Sequence, residues 1–189
     1  MATIRSAALV ALMLVTGVAH AAEEGKLAKT RFAGTLSVGD REAGAVQFEL
    51  ACHSAKDGAL SLSLIIPAPD AITDFPLPEF EGPEGIGETR DSAHWRVDTR
   101  KDGATLTSSI GGWYGVDGDG FVLSLSAPNR KAAPLRAFVQ ALVADGAKRL
   151  HLRIDPPKAG AALQAQAMLD GQSSTLRQTV EPCVAGGKR

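Results

Sequence analysis

Apolar and polar side chains alternate with a period of two through most of this chain, which restricts it to folds built from half-buried strands. Phe32, Gly34, Leu36 and Val38 share one face, while Arg31, Ala33, Thr35 and Ser37 share the other. Val46, Phe48, Leu50 and Cys52 repeat the pattern, as do Leu60, Leu62, Leu64 and Ile66. Further strands are predicted around Ala93–Val97, Ala104–Ile110, Phe121–Leu125, Leu150–Ile154 and Leu163–Leu169. Two stretches change period. Leu135, Phe138, Val139 and Leu142 sit at helical spacing, with Pro134 in the first turn and Gly146 beyond the end. A second helix starts near Ser173 as N-cap, aligns Leu176, Val180 and Cys183, and is expected to stop at Pro182. The order is six strands, a helix, two strands and a helix. One polar face per strand predicts a mainly β, antiparallel sandwich or half-barrel with one or two packed helices.

Residues 1–21 read as a cleavable secretion signal, and 22–189 as a single β-rich domain. Arg5 supplies a basic start, Ala7 to Val18 an apolar run, and Ala19-His20-Ala21 a small-x-small cleavage site. The run is too short to span a bilayer and Glu23 and Glu24 follow it, so no membrane span is expected. A periplasmic or secreted location follows. An exported chain with two cysteines, Cys52 and Cys183, most simply joins them in a disulfide. Net charge is −1, falling to −2 once Arg5 leaves, which gives no electrostatic footprint for nucleic acid.

The segment 68–91 breaks the strand pattern. It is rich in proline and glycine and carries seven carboxylates against one arginine. Asp74, Glu79, Glu81 and Glu84 form an acidic rim, and Phe75 and Phe80 are apolar anchors in this reading: a contact surface for a cationic partner. The competing reading tucks both phenylalanines into the core. Trp113 and Tyr114, in a glycine-rich stretch, either stack on a ligand or are buried in a kinked strand. His53, His94 and His151 all fall on polar strand faces but lack metal-ligand spacing, so no metal is expected. Asp117-Gly118-Asp119-Gly120 reads as a turn between strands, and Gly171-Gln172-Ser173-Ser174 lacks the last glycine of a nucleophile elbow. No residue is marked as catalytic and no cofactor is implied.

A helix followed by glycine and a basic strand (Phe138 to Ile154), then a strand, a serine-capped helix and cysteine (Leu163 to Cys183), resembles small exported bacterial proteins of the invasion-associated locus B type. The resemblance covers about a quarter of the chain, which departs from that family in its two cysteines and long acidic loop. It implies a periplasmic β-rich domain without assigned catalysis. The leading expectation is a non-catalytic binding protein of the bacterial envelope, meeting an envelope protein or small ligand through the acidic loop. The alternative is a periplasmic hydrolase whose carboxylates converge only in three dimensions.

Overall fold

The computed structural model describes residues 27–56, 58–82, 89–100, 103–115, 120–127 and 133–185. Residues 1–21, read from sequence as a secretion signal, lie outside them, as do Glu84 and Asp117 to Asp119. The described residues form β1 (Leu27–Val38), β2 (Arg41–His53), β3 (Ala59–Ile66), β4 (Thr89–Thr99), β5 (Ala104–Tyr114), β6 (Phe121–Ala127), α1 (Ala133–Leu142), β7 (Ala147–Ile154), β8 (Leu163–Met168) and α2 (Ser173–Val184). This is the order expected from the alternation.

The sandwich or half-barrel is corrected. The strands close into an antiparallel barrel in the order β1-β2-β3-β6-β5-β4-β7-β8. β1 makes the closure because it is long enough to have two neighbours. It pairs with β2 along its length, and its last turnings, Thr35–Val38, pair with Leu163–Gln166 of β8. Gly34 sits at this seam. A Cβ there would lie 2.7 Å from the Gln166 carbonyl oxygen and 2.8 Å from the Phe48 ring, so only glycine lets the strands meet.

Alternation puts the apolar set inside. Phe48, Leu50, Leu62, Leu64, Trp95, Ile110, Leu123, Leu152 and Leu163 are all essentially inaccessible to water. Burying each such side chain contributes about 1.5–3 kcal/mol. Trp95 brings a polar atom into this interior, and its Nε1–H donates to Ser108 Oγ at 3.1 Å. Outward positions such as Arg31, Glu49, Arg96 and Gln166 are polar. Among the described residues no helix is long and apolar enough to cross a membrane.

Both ends of the barrel are plugged. The start of β1 and the ends of β2, β4, β6 and β8 lie at one end, where α1 packs against β4, β5 and β7, and α2 against β1, β2 and β3. Leu135, Phe138, Val139 and Leu142 are the buried stripe of α1. Cys183 of α2 is bonded to Cys52 of β2, so the expected disulfide is present. Two details of α2 differ from expectation. Pro182 lies inside the helix rather than ending it, because in the last turn its missing N–H forfeits a single helical bond. Ser173 is the first helical residue, and Gln172 takes the N-cap place without a side-chain cap bond.

The other end is closed by the β3–β4 connection. It crosses through two short 3-10 turns, Pro69–Ala71 and Leu77–Phe80. Ile72, Phe75, Leu77 and Phe80 point into the core. Its exit pairs with β5 through a Glu81–Gly112 bridge.

Candidate functional site

The acidic connection is built differently from a contact surface. Phe75 and Phe80 are 3% and 0% exposed and stack on each other with ring centroids 5.3 Å apart. Their proposed role as exposed anchors is therefore corrected: the open barrel mouth needs apolar cover, and these rings supply it. The carboxylates tie the plug down. Asp74 pairs with Arg41 of β2 at 2.6 Å, and Glu79 with Lys158 of the β7–β8 connection at 2.9 Å. Glu81 is half-buried at its bridge to Gly112. Glu84 lies outside the described residues.

Trp113 and Tyr114 belong to the end of β5 rather than to a loop, and they are 47% and 48% exposed. Tyr114 is edge-on to the buried Phe121. Trp113 stands on the outer wall beside Val122 of β6.

The richest cluster of chemistry-bearing side chains lies on another part of the wall. Because strands pair across the closed ring, outward residues of five strands fall into two transverse rows. One runs Thr105, Arg96, His151, Gln166, Thr35 across β5, β4, β7, β8 and β1. The next runs Thr107, His94, Arg153, Gln164, Ser37 over the same strands and continues to Glu42 of β2. Together they line a groove of about 800 Å³. At the usual strand spacing, five strands give it a length of about 19 Å.

Its centre is held by carboxylates. Asp98 Oδ2 accepts from His151 Nε2 at 2.7 Å, and its Oδ1 lies 3.3 Å from Arg96 Nε. The His151 hydrogen bond holds the Asp98 carboxyl below its usual range; desolvation opposes it, and the charges on His151, Arg96 and Arg149 add to the lowering. Asp155 does the same work at the other corner. Its Oδ1 takes Arg153 at 2.7 Å, and its Oδ2 takes His94 Nε2 at 3.1 Å. Thr107 Oγ1 lies 3.4 Å from the other nitrogen of His94. Asp155 and Thr107, one on each ring nitrogen, fix the plane of the His94 imidazole.

Each arginine has five donors and gives part of its fork to an aspartate. The remaining donors of Arg96 and Arg153 face the groove with both side chains more than half exposed. The arrangement is a set of oriented cationic and neutral donors.

Of the three histidines singled out from sequence, His94 and His151 meet diagonally on β4 and β7, while His53 lies on β2 beside Ala59 and Leu27. Among the described residues no group of three or more His, Cys, Asp or Glu side chains is placed to hold a metal ion. Arg96 and Arg153 were missed, because arginines on polar strand faces read as solvated. The signal that could have found them is the repeat His94-x-Arg96 and His151-x-Arg153 on two strands of equal phase.

Comparison with protein-family models, with curated proteins and with solved structures finds no match to this chain.

Proposed function

We propose that this protein is a non-catalytic binding protein that works outside the cytoplasm and holds an anionic ligand in the groove across β5, β4, β7, β8 and β1. The observation that carries the reading is the pair of transverse rows with His94, Arg96, His151 and Arg153 at their centre. Arginine forks match carboxylate and phosphate geometry, and the flanking Thr, Ser and Gln side chains add neutral hydrogen bonds along an extended ligand. Asp98 and Asp155 pre-orient the donors, which reduces the ordering cost of binding. The Cys52–Cys183 disulfide supports an oxidising compartment. The resemblance to exported proteins of the invasion-associated locus B type carries no residue role into this reading.

The ligand class reverses the cationic partner expected from the acidic loop. In the described part of that loop, Asp74 and Glu79 already pair with Arg41 and Lys158.

The test is titration calorimetry of the purified protein with trigalacturonate and with inorganic phosphate, at low and high salt. Saturable binding that weakens with salt is expected for at least one of them. Arg96→Gln and Arg153→Gln should each weaken it by about tenfold, equivalent to about 1.4 kcal/mol. No binding of either probe, or binding indifferent to both arginines, overturns the proposal.

A further inference from the structure

The opposite wall of the barrel carries a second groove whose chemistry is unlike the first. It lies across β1, β2, β3, β6 and β5 and has a volume of about 890 Å³. Its central row runs Arg31, Glu49, Ser63, Ser124, Gly111. The row below runs Lys29, Ala51, Ser61, Ser126. The row above ends in Ile65, Val122 and Trp113. β3 and β6 therefore set four serines side by side; Ser63 is buried and donates its hydroxyl to Ser124 Oγ at 2.9 Å, which leaves Ser61, Ser124 and Ser126 to form the accessible floor. An Arg31–Glu49 ion pair at 2.7 Å forms one wall, and the Trp113 indole forms the other.

Two features of this groove have no packing explanation. Trp113 leaves 47% of its surface in water, although an indole is among the most rewarding side chains to bury. Gly111, next to it in the chain, sits inside a strand at ordinary φ, and a Cβ there would meet nothing within 4 Å. Glycine weakens a strand and is found there for a bend, a bulge or the close approach of another group to the backbone. The adjacent Gly112 shows the contrast. It faces inward, where a Cβ would lie 2.6 Å from the Phe121 ring, so packing alone requires it. Gly111 instead keeps open the floor at the foot of Trp113.

The barrel is closed, and this wall presents the face of its sheet rather than an edge strand for an extended peptide to pair with. Recognition must come from side chains: one exposed aromatic face, a bed of hydroxyls and an ion pair rich in planar donors and acceptors. A pyranose ring has the matching surface, an apolar C–H face ringed by hydroxyl groups. We propose that this groove binds a neutral oligosaccharide, with one sugar ring stacked on Trp113 over Gly111 and its hydroxyls shared among Ser61, Ser124, Ser126 and the Arg31–Glu49 pair. The inference is independent of the anion groove, with which it shares no lining residue.

The probes are cellotetraose, maltotetraose and chitotetraose. Trp95 is buried, so a ligand-dependent change in indole fluorescence reports Trp113. At least one probe should give a saturable change below about 10 mM, the range of weak single-site binding. Calorimetry then compares variants. Trp113→Ala and Gly111→Val should each weaken binding by tenfold or more. Valine suits a strand and has space at this position, so Gly111→Val should keep the wild-type thermal midpoint. Binding unchanged by Arg96→Gln but lost in Gly111→Val places the sugar in this groove. Absence of a response to all three probes, or full binding retained by Gly111→Val, overturns the proposal.

Discussion

Replacing both Cys52 and Cys183 with alanine tests how the helical plug is held. The two residues are 131 positions apart, and both side chains are fully buried. In the chain-entropy treatment, a loop of that length restricts the unfolded chain by about 5 kcal/mol near room temperature. Measured losses run lower, so a drop of about 3–5 kcal/mol is expected for the double variant. A chain of this size unfolds in urea with a slope of about 2 kcal/mol per molar, so the midpoint should fall by about 2 M. The crosslink joins α2 to β2, at the end of the barrel where α2 also packs on β1 and β3. Hydrogen exchange should therefore show the amides of α2 losing protection before those of β2 and β3. A midpoint that moves by less than about 0.5 M would refute the reasoning. Leu176 and Val180 would then be enough to dock α2, and the long loop would contribute almost nothing.

Phe80→Ala should cost about 3–5 kcal/mol in urea unfolding, because the ring is enclosed at the barrel mouth and stacks on Phe75. A loss under about 1 kcal/mol would mean that the ring is not core and would restore the loop as a contact surface. The Asp98 carboxyl is held below its usual range in the folded state. Its contribution is thus present above the ordinary carboxylate pKa of about 3.9, and disappears as pH falls through the lowered folded value. Urea midpoints taken from pH 6 downward should therefore decline less steeply below about pH 4 in Asp98→Asn than in the parent; superimposable acid limbs would contradict the assignment.

The strands were legible because each one alternates over at least three apolar positions, and α1 because Leu135, Phe138, Val139 and Leu142 hold a helical period. Closure was not. A half-buried strand looks the same in a sheet, a sandwich or a barrel, and the deciding contact joins Thr35–Val38 to Leu163–Gln166 across most of the chain. The plug was misread for a related reason. Phe75, Leu77 and Phe80 have no periodicity, so a proline-rich stretch capping a barrel mouth is indistinguishable in sequence from a surface loop. The anion groove was hidden because β4 pairs with β7, four elements further along the chain. Only that pairing sets Arg96 beside His151 and His94 beside Arg153. Trp113 was singled out from sequence, yet its neighbours Gly111, Ser63 and Arg31 are brought onto one wall only through the β1-β2-β3-β6-β5 register.

The first strand starts, and the final helix packs, at one and the same end of the barrel. A tether coupled at Leu27 and one coupled to the outer face of α2 would therefore both hold the molecule by that end. Both side walls would face the flowing solution in each case, so immobilising the protein by one of these positions and then by the other should yield the same binding isotherms.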